Sequence, residues 1–184
     1  MEQVKAIRGS VPNTIAVVGV FTDQPVELME AISSACRLDL LQVHGTISQQ
    51  HHSVFGDRLI PVVEVTTEDP LNRVREFNQS IVLLDAVHKS RDISFAEPFD
   101  WSLARRSVQT KKVILAGGLN PENVTGALEA VRPYAVDVSG GVEKSPGVKD
   151  HDKLELFIQR IRSWDSRTNA DISASSADGS FLKR

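Results

Sequence analysis

Six hydrophobic, strand-like runs cross this chain, spaced about twenty to thirty residues apart, and each ends in a polar or glycine-rich turn. They are Ile15–Phe21 (IAVVGVF), Leu40–Gly45 (LLQVHG), Ile60–Val65 (IPVVEV), Ile81–Ala86 (IVLLDA), Val113–Leu119 (VILAGGL) and Ala135–Glu143 (AVDVSGGVE). The runs are rich in β-branched residues and mostly continuous rather than alternating. Strands that read this way are covered on both faces, as in a parallel sheet. Four of the six ends carry groups able to bind or react: Gln42 with His44, Asp85, Gly117 with Gly118, and Ser139 with Gly140 and Gly141. Such groups collected at the carboxyl ends of successive strands point to an α/β barrel or a doubly wound sheet. A closed (β/α)8 barrel needs eight strands. The expectation is therefore an α/β fold of that kind with six parallel strands present and two lacking.

Helical periods lie between the runs. Pro25–Cys36 places Val26, Met29, Ala31 and Ile32 on helical spacing, behind a cap expected near Asp23. Asn120 as cap and Pro121 at the first helical position open another helix, with Val124, Leu128 and Val131 as its apolar face. From Asp150 to Trp164, the residues Leu154, Phe157, Ile158 and Ile161 form one stripe. A short helix over Glu2–Arg8 precedes the first run, and His88–Pro98 reads as an irregular loop. Asp165–Arg184 is rich in Ser, Asp and Ala, has no period, and reads as a disordered tail behind one barrel domain over residues 1–164.

Composition narrows the classes of function. A net charge of −3 offers no electrostatic attraction for nucleic acid or an anionic membrane. No run approaches the ~18 apolar residues of a membrane helix, and MEQVKAIRGS is too polar for a secretory signal. The single cysteine, Cys36, allows no internal disulfide and suits a reducing compartment, so a cytoplasmic protein is expected.

Each strand-end group has a bland reading beside the chemical one. Gly117 and Gly118 stand two residues before a helix, where glycines let an anion approach the backbone, or simply make a tight turn. Ser139, Gly140 and Gly141 repeat the arrangement on the next strand, and the two together favour a phosphate held by backbone N–H groups. Asp85 closes an apolar strand and is either a general acid of raised pKa or a cap and solvated loop residue. Gln42 and His44 point to one side of their strand, toward a sugar or toward an internal hydrogen bond. His51 and His52 are adjacent, so they point apart, and no Cys or carboxylate joins them at ligand spacing; a metal is not expected. Cys36 falls within a helix and reads as a small core filler.

Taken in order, VGVFTDQP (Val18–Pro25), LLQVHG, LLDA, FDW (Phe99–Trp101), ILAGGLNPENV (Ile114–Val124) and VDVSGGVEKSPGVKD (Val136–Asp150) resemble the phosphoribosylanthranilate isomerase family of tryptophan biosynthesis. The resemblance covers about residues 2 to 163. It implies a (β/α)8 barrel with no metal or organic cofactor, acting on a small phosphoribosyl substrate. The implied reaction is the Amadori rearrangement of N-(5-phosphoribosyl)anthranilate to 1-(2-carboxyphenylamino)-1-deoxyribulose 5-phosphate. An acid opens the ribose ring to a Schiff base, and a base then removes the C2 proton. By resemblance Asp85 matches the acid, Gly117, Gly118, Ser139, Gly140 and Gly141 match the phosphate site, and Gln42 with His44 match the polar end beside the sugar.

The departures carry expectations of their own. The family's base is a cysteine on the first strand, in a pattern like KICG, and this chain has no such segment. EQVKAI resembles the helix after the family's second strand, so the first strand, first helix, second strand and the arginine that follows them are expected to be lacking. A GGTG-like phosphate turn before FDW is replaced by ISFAEP (Ile93–Pro98). The expectation is an isomerase with impaired activity, its open sheet edges prone to self-association. The alternatives are a non-catalytic relative that binds a sugar phosphate or a partner chain, and another phosphate-binding barrel enzyme. An aldolase would want a lysine at a strand end, and none of the six offers one.

Overall fold

A computed structural model describes residues 2–66, 69–86 and 98–177. Helix α1 (Glu2–Ser10) leads into β1 (Val18–Thr22), α2 (Val26–Cys36), β2 (Leu40–His44), α3 (Gln49–Phe55), β3 (Leu59–Val65), α4 (Leu71–Glu76) and β4 (Ile81–Ala86). Two short 3-10 turns (Trp101–Ala104 and Ser107–Gln109) then precede β5 (Lys112–Leu115), α5 (Val124–Val131) and β6 (Ala135–Val136). A small hairpin, β7 (Glu143–Ser145) with β8 (Val148–Lys149), hands the chain to α6 (His151–Ala177). The irregular loop expected over His88–Pro98, and with it nearly all of ISFAEP, lies outside the described residues.

The sheet is parallel throughout and runs in sequence order β1-β2-β3-β4-β5-β6. It is therefore an open wall with β1 at one edge and β6 at the other, as expected from six apolar runs. The edge strand β1 shows Val18 and Val20 to solvent, Val20 at 62% exposure. Neighbouring side chains along a strand alternate faces, and the core divides accordingly. Behind the sheet, Val63, Val65, Val82, Leu84, Val113 and Leu115 pack with Val124, Ala127, Leu128 and Val131 of α5 and Phe157 of α6. Phe21, Met29, Cys36, Leu41, Val43 and Leu59 make a second cluster under α2 and α3. The inner face is lined by Ile60, Val62, Leu83 and Ala116, with Leu40, Ile81 and Ile114 beside them. Cys36 is thus a core residue behind the sheet, away from the strand ends. At the bottom, Asp39 accepts the Val17 N–H at 2.7 Å and faces Arg8 of α1 at 3.7 Å.

Several local expectations are corrected. Ile15 lies in a turn, its N–H bonded to Pro12, so β1 starts later than the apolar run. Asp23 does not cap α2: it takes a left-handed backbone (φ 51°), and its Oδ1 accepts the Thr46 N–H at 3.4 Å. On α2 the buried face is Val26, Met29, Ser33 and Cys36, while Ala31 is exposed. Asn120 Oδ1 accepts from the N–H groups of Glu122 and Asn123, making a turn of the segment expected to begin the helix; α5 itself starts at Val124. On α6 Phe157 is buried and Leu154 and Ile161 pack beside it, but Ile158 is largely exposed. The helix also continues past Trp164 to Ala177, through much of the expected disordered tail. Among the described residues no helix is long and apolar enough to cross a membrane.

Candidate active site

The inner face ends, at the carboxyl side of the strands, in a band of polar groups. The alternation that places Leu40, Ile60, Val62, Ile81, Leu83 and Ile114 inside carries on to Gln42 and His44 on β2, Glu64 on β3 and Asp85 on β4. Register pairs Glu64 with Asp85 directly. The same register, taken two residues further, sets Ala116 and then Asp137 just past the ends of the neighbouring strands, where Asp137 N–H bonds to Leu115. Gln42 and His44 meet at 3.2 Å between their Nε2 atoms, so the sequence's two readings of them coexist: an internal contact, placed at the mouth.

Asp85 is buried at the end of β4. It lies against Gly117: a Cβ on that glycine would come within 2.9 Å of Asp85 Oδ1 and would run into the backbone N of Ala86. Gly117 (φ 85°) and Gly118 (φ 67°) both adopt the left-handed region. They end β5 at Leu115, earlier than the apolar run suggested. The turn they open is braced by Asn123. Asn123 Nδ2 donates to the Gly118 carbonyl at 2.8 Å, and Asn123 Oδ1 accepts the Asn120 N–H at 2.9 Å.

The second glycine turn touches the first. After Val136 the chain leaves the sheet, and Gly140–Val142 forms a 3-10 turn rather than the strand expected as far as Glu143. The reason is a close approach: a Cβ on Gly141 would collide with the Leu119 carbonyl. Only glycine lets the Ser139–Gly141 backbone lie against Leu119 and Asn120. The fold thus joins Asp85, both glycine turns, and the Gln42–His44 pair at one end of the wall.

Asp137 is a group the sequence reading passed over. It lies just past the end of β6, exposed to solvent on one side while its carboxyl is crowded by protein on the other. Desolvation raises its carboxyl above the ordinary aspartate value, and the charge of Asp85 adds to the rise. The Val138 N–H, Lys149 and His44 pull the other way. The period-2 spacing of Ala135, Asp137 and Ser139 is the signal that could have found it. His51 and His52, set aside above as ligands, have local partners. His51 Nδ1 meets Ser48 Oγ at 2.9 Å in the cap of α3, and His52 Nδ1 meets Gln79 Nε2 at 2.9 Å. Among the described residues no cluster of three or more His, Cys, Asp or Glu could hold a metal ion.

Residues 1–160 match the family model described as N-(5'phosphoribosyl)anthranilate (PRA) isomerase. A curated N-(5'-phosphoribosyl)anthranilate isomerase of Geobacter sulfurreducens is 37% identical over 163 residues, covering 89% of this chain and 80% of the relative. The enzyme of the same name from Geotalea uraniireducens is 39% identical over 161 residues, covering 88% and 79%. The crystal structure of phosphoribosyl anthranilate isomerase from Thermotoga maritima superposes with a TM-score of 0.79 at 34% identity, over 88% of this chain and 80% of that one. A phosphoribosyl anthranilate isomerase solved in complex with reduced 1-(o-carboxyphenylamino)-1-deoxyribulose 5-phosphate superposes with a TM-score of 0.76 at 34% identity, over 88% and 79%.

Proposed function

Since the chain belongs to the N-(5'-phosphoribosyl)anthranilate isomerase family, we propose that its strand ends bind a phosphoribosyl anthranilate, that Asp85 is the general acid of the Amadori rearrangement, and that residues 1–184 alone perform it only weakly. The observation that carries this reading is the placement of Asp85: a buried carboxyl on the inner face, touching the first of two glycine turns that are packed against each other. A phosphate held on the N–H groups of the Gly117–Gly118 and Ser139–Gly141 turns would hang the ribose over that carboxyl. Asp85 protonates the ring oxygen, the ring opens to a Schiff base, and loss of the C2 proton gives the enolamine that tautomerises to the ketone. Gln42 and His44 contact the sugar. Asp137 lies in the field of Asp85, and its own carboxyl is raised by desolvation first and by that charge second, so a second carboxyl stands at the mouth beside the proposed acid.

The weak activity follows from the open wall. The step that removes the C2 proton needs a base, and the only cysteine, Cys36, is packed behind the sheet with Met29 and Phe55. General base catalysis contributes about 10²–10⁴-fold, and an open mouth also loses hold of the substrate. The test is an isomerase assay of residues 1–184 beside the same chain preceded by a family-like strand, helix and strand. Near-background rates for the first and rescue in the second are expected. In the rescued protein Asp85→Asn should cost at least about 10²-fold, because ring opening needs a proton donor. Full activity of residues 1–184 would refute the impairment, and a rescued enzyme indifferent to Asp85→Asn would refute the acid assignment.

The open edge also supports a second reading: a sugar-phosphate-binding relative without catalysis. Ribose 5-phosphate binding by the 1–184 chain, with no rescue of turnover when the preceding segment is restored, would favour it.

A further inference from the structure

Lys149 has no part in the chemistry above, yet it grips the second glycine turn. Its ammonium donates to the Ser139 carbonyl at 2.9 Å and to Glu143 Oε1 at 2.7 Å. Glu143 is itself held, its side chain 13% exposed, with Oε2 accepting the Gly147 N–H at 3.1 Å. Lys153 Nζ donates to the Glu143 carbonyl at 3.1 Å, and the Asp150 N–H bonds to Val142 at 2.8 Å. The β7–β8 hairpin is therefore a braced arm that carries one cation to the start of the turn. On the opposite side Gly141 presses against the Leu119 carbonyl. The turn is clamped between the first glycine turn and Lys149.

We propose that Lys149 is a positioning residue for a phosphate-binding turn at Ser139–Gly141, an inference that rests on the phosphate reading of that turn. A turn that binds an anion must keep its N–H groups available and its carbonyl oxygens turned away. The Ser139 carbonyl is an anion-repelling dipole end at the start of the turn, and Lys149 both ties it down and offsets its charge. The same ammonium lies close enough to Asp137 to favour its ionised form, which places the cation at the mouth rather than on a remote surface.

The experiment uses the 184-residue chain with ribose 5-phosphate as probe, in wild type, Lys149→Met, Lys149→Arg, Glu143→Gln and Lys144→Met. Lys144 is exposed on the same hairpin and controls for net charge. Calorimetry should show affinity about tenfold weaker for Lys149→Met, the scale of one charge-assisted hydrogen bond. Lys149→Arg should recover most of it, and Lys144→Met should leave it unchanged. Equal affinity in wild type and Lys149→Met, or equal losses in Lys149→Met and Lys144→Met, overturns the proposal. If Lys149→Met fails to fold, Glu143→Gln takes its place. That variant keeps an acceptor for Gly147 and removes the carboxylate that holds the lysine against the Ser139 carbonyl, so an affinity loss supports the proposal and wild-type affinity overturns it. If wild type binds no ribose 5-phosphate, the phosphate reading itself fails. Amide hydrogen exchange then decides the role of Lys149: faster exchange at Gly140, Gly141 and Val142 in Lys149→Met supports its hold on the turn, and unchanged exchange overturns it.

Discussion

Gly117→Ala is the perturbation whose cost can be worked out most directly. Gly117 has φ 85°, where an L side chain is strained by about 1–2 kcal/mol. The added methyl also meets the Ala86 backbone, the Ala86 Cβ at 2.6 Å and Asp85 Oδ1 at 2.9 Å. Ala86 and Asp85 are buried in a parallel strand and cannot yield freely, so overpacking adds about 1–3 kcal/mol. The total is about 2–5 kcal/mol, a large share of the roughly 5–15 kcal/mol by which a domain is stable. Gly147 is the control: its φ is 75° but nothing lies within 4 Å of its added Cβ, so Gly147→Ala carries only the backbone strain. Urea unfolding followed by circular dichroism should lower the midpoint by roughly 1–2.5 M for Gly117→Ala and by roughly 0.5–1 M for Gly147→Ala, taking a slope of about 2 kcal/mol/M. The measurement needs no ligand and no activity. Equal midpoints for the two variants would refute the collision, and with it the claim that Gly117 is there to let Asp85 and the turn come together.

Other consequences can be checked separately. Gly118 has φ 67°, which a β-branched residue adopts only under strain, so Gly118→Val should abolish ribose 5-phosphate binding; undiminished affinity by calorimetry would remove the phosphate assignment. The raised pKa of Asp137 means that its carboxyl favours folding when protonated, and that this contribution is lost as pH rises through the folded-state pKa. Asp137→Asn should therefore raise Tm at neutral pH, with the gain fading as pH falls below the ordinary aspartate range; a gain that grows in acid would reverse the sign of the argument. Val20 lies bare on the β1 edge, a surface that invites strand pairing, so Val20→Lys should reduce self-association in sedimentation velocity runs, and a wild-type chain that stays monomeric at high concentration would contradict the edge liability.

The six runs were legible because a parallel strand covered on both faces must be apolar along its whole length, and no other short segment of this chain has that property. The groups at their ends were legible for a related reason. A polar or glycine residue that interrupts such a run marks the point where the strand leaves the core, and Gln42, His44, Asp85, Gly117 and Gly118 all stand there. Strand length was less legible. β6 stops at Val136 although VDVSGGVE reads on as a strand, because its backbone must turn to lie against Leu119, a contact between distant segments. The buried face of α2 shifted to Ser33 from Ala31 for the same kind of reason: Arg58, from beyond β2, donates to Ser33 Oγ at 2.6 Å and covers it.

Local patterning placed the six parallel strands and the groups at their ends, since each depends on a few neighbouring residues, but it missed the helix beyond Trp164 and the β7–β8 hairpin. It took the assembled fold to set Asp85 against Gly117, to press the two glycine turns together, to bring Asp137 into the field of Asp85 and His44, and to carry Lys149 back to Ser139. Those relations join residues far apart along the chain. They exist because the sheet's register and the barrel-like curl bring separate strand ends to one mouth, a property of the assembled wall rather than of any one strand.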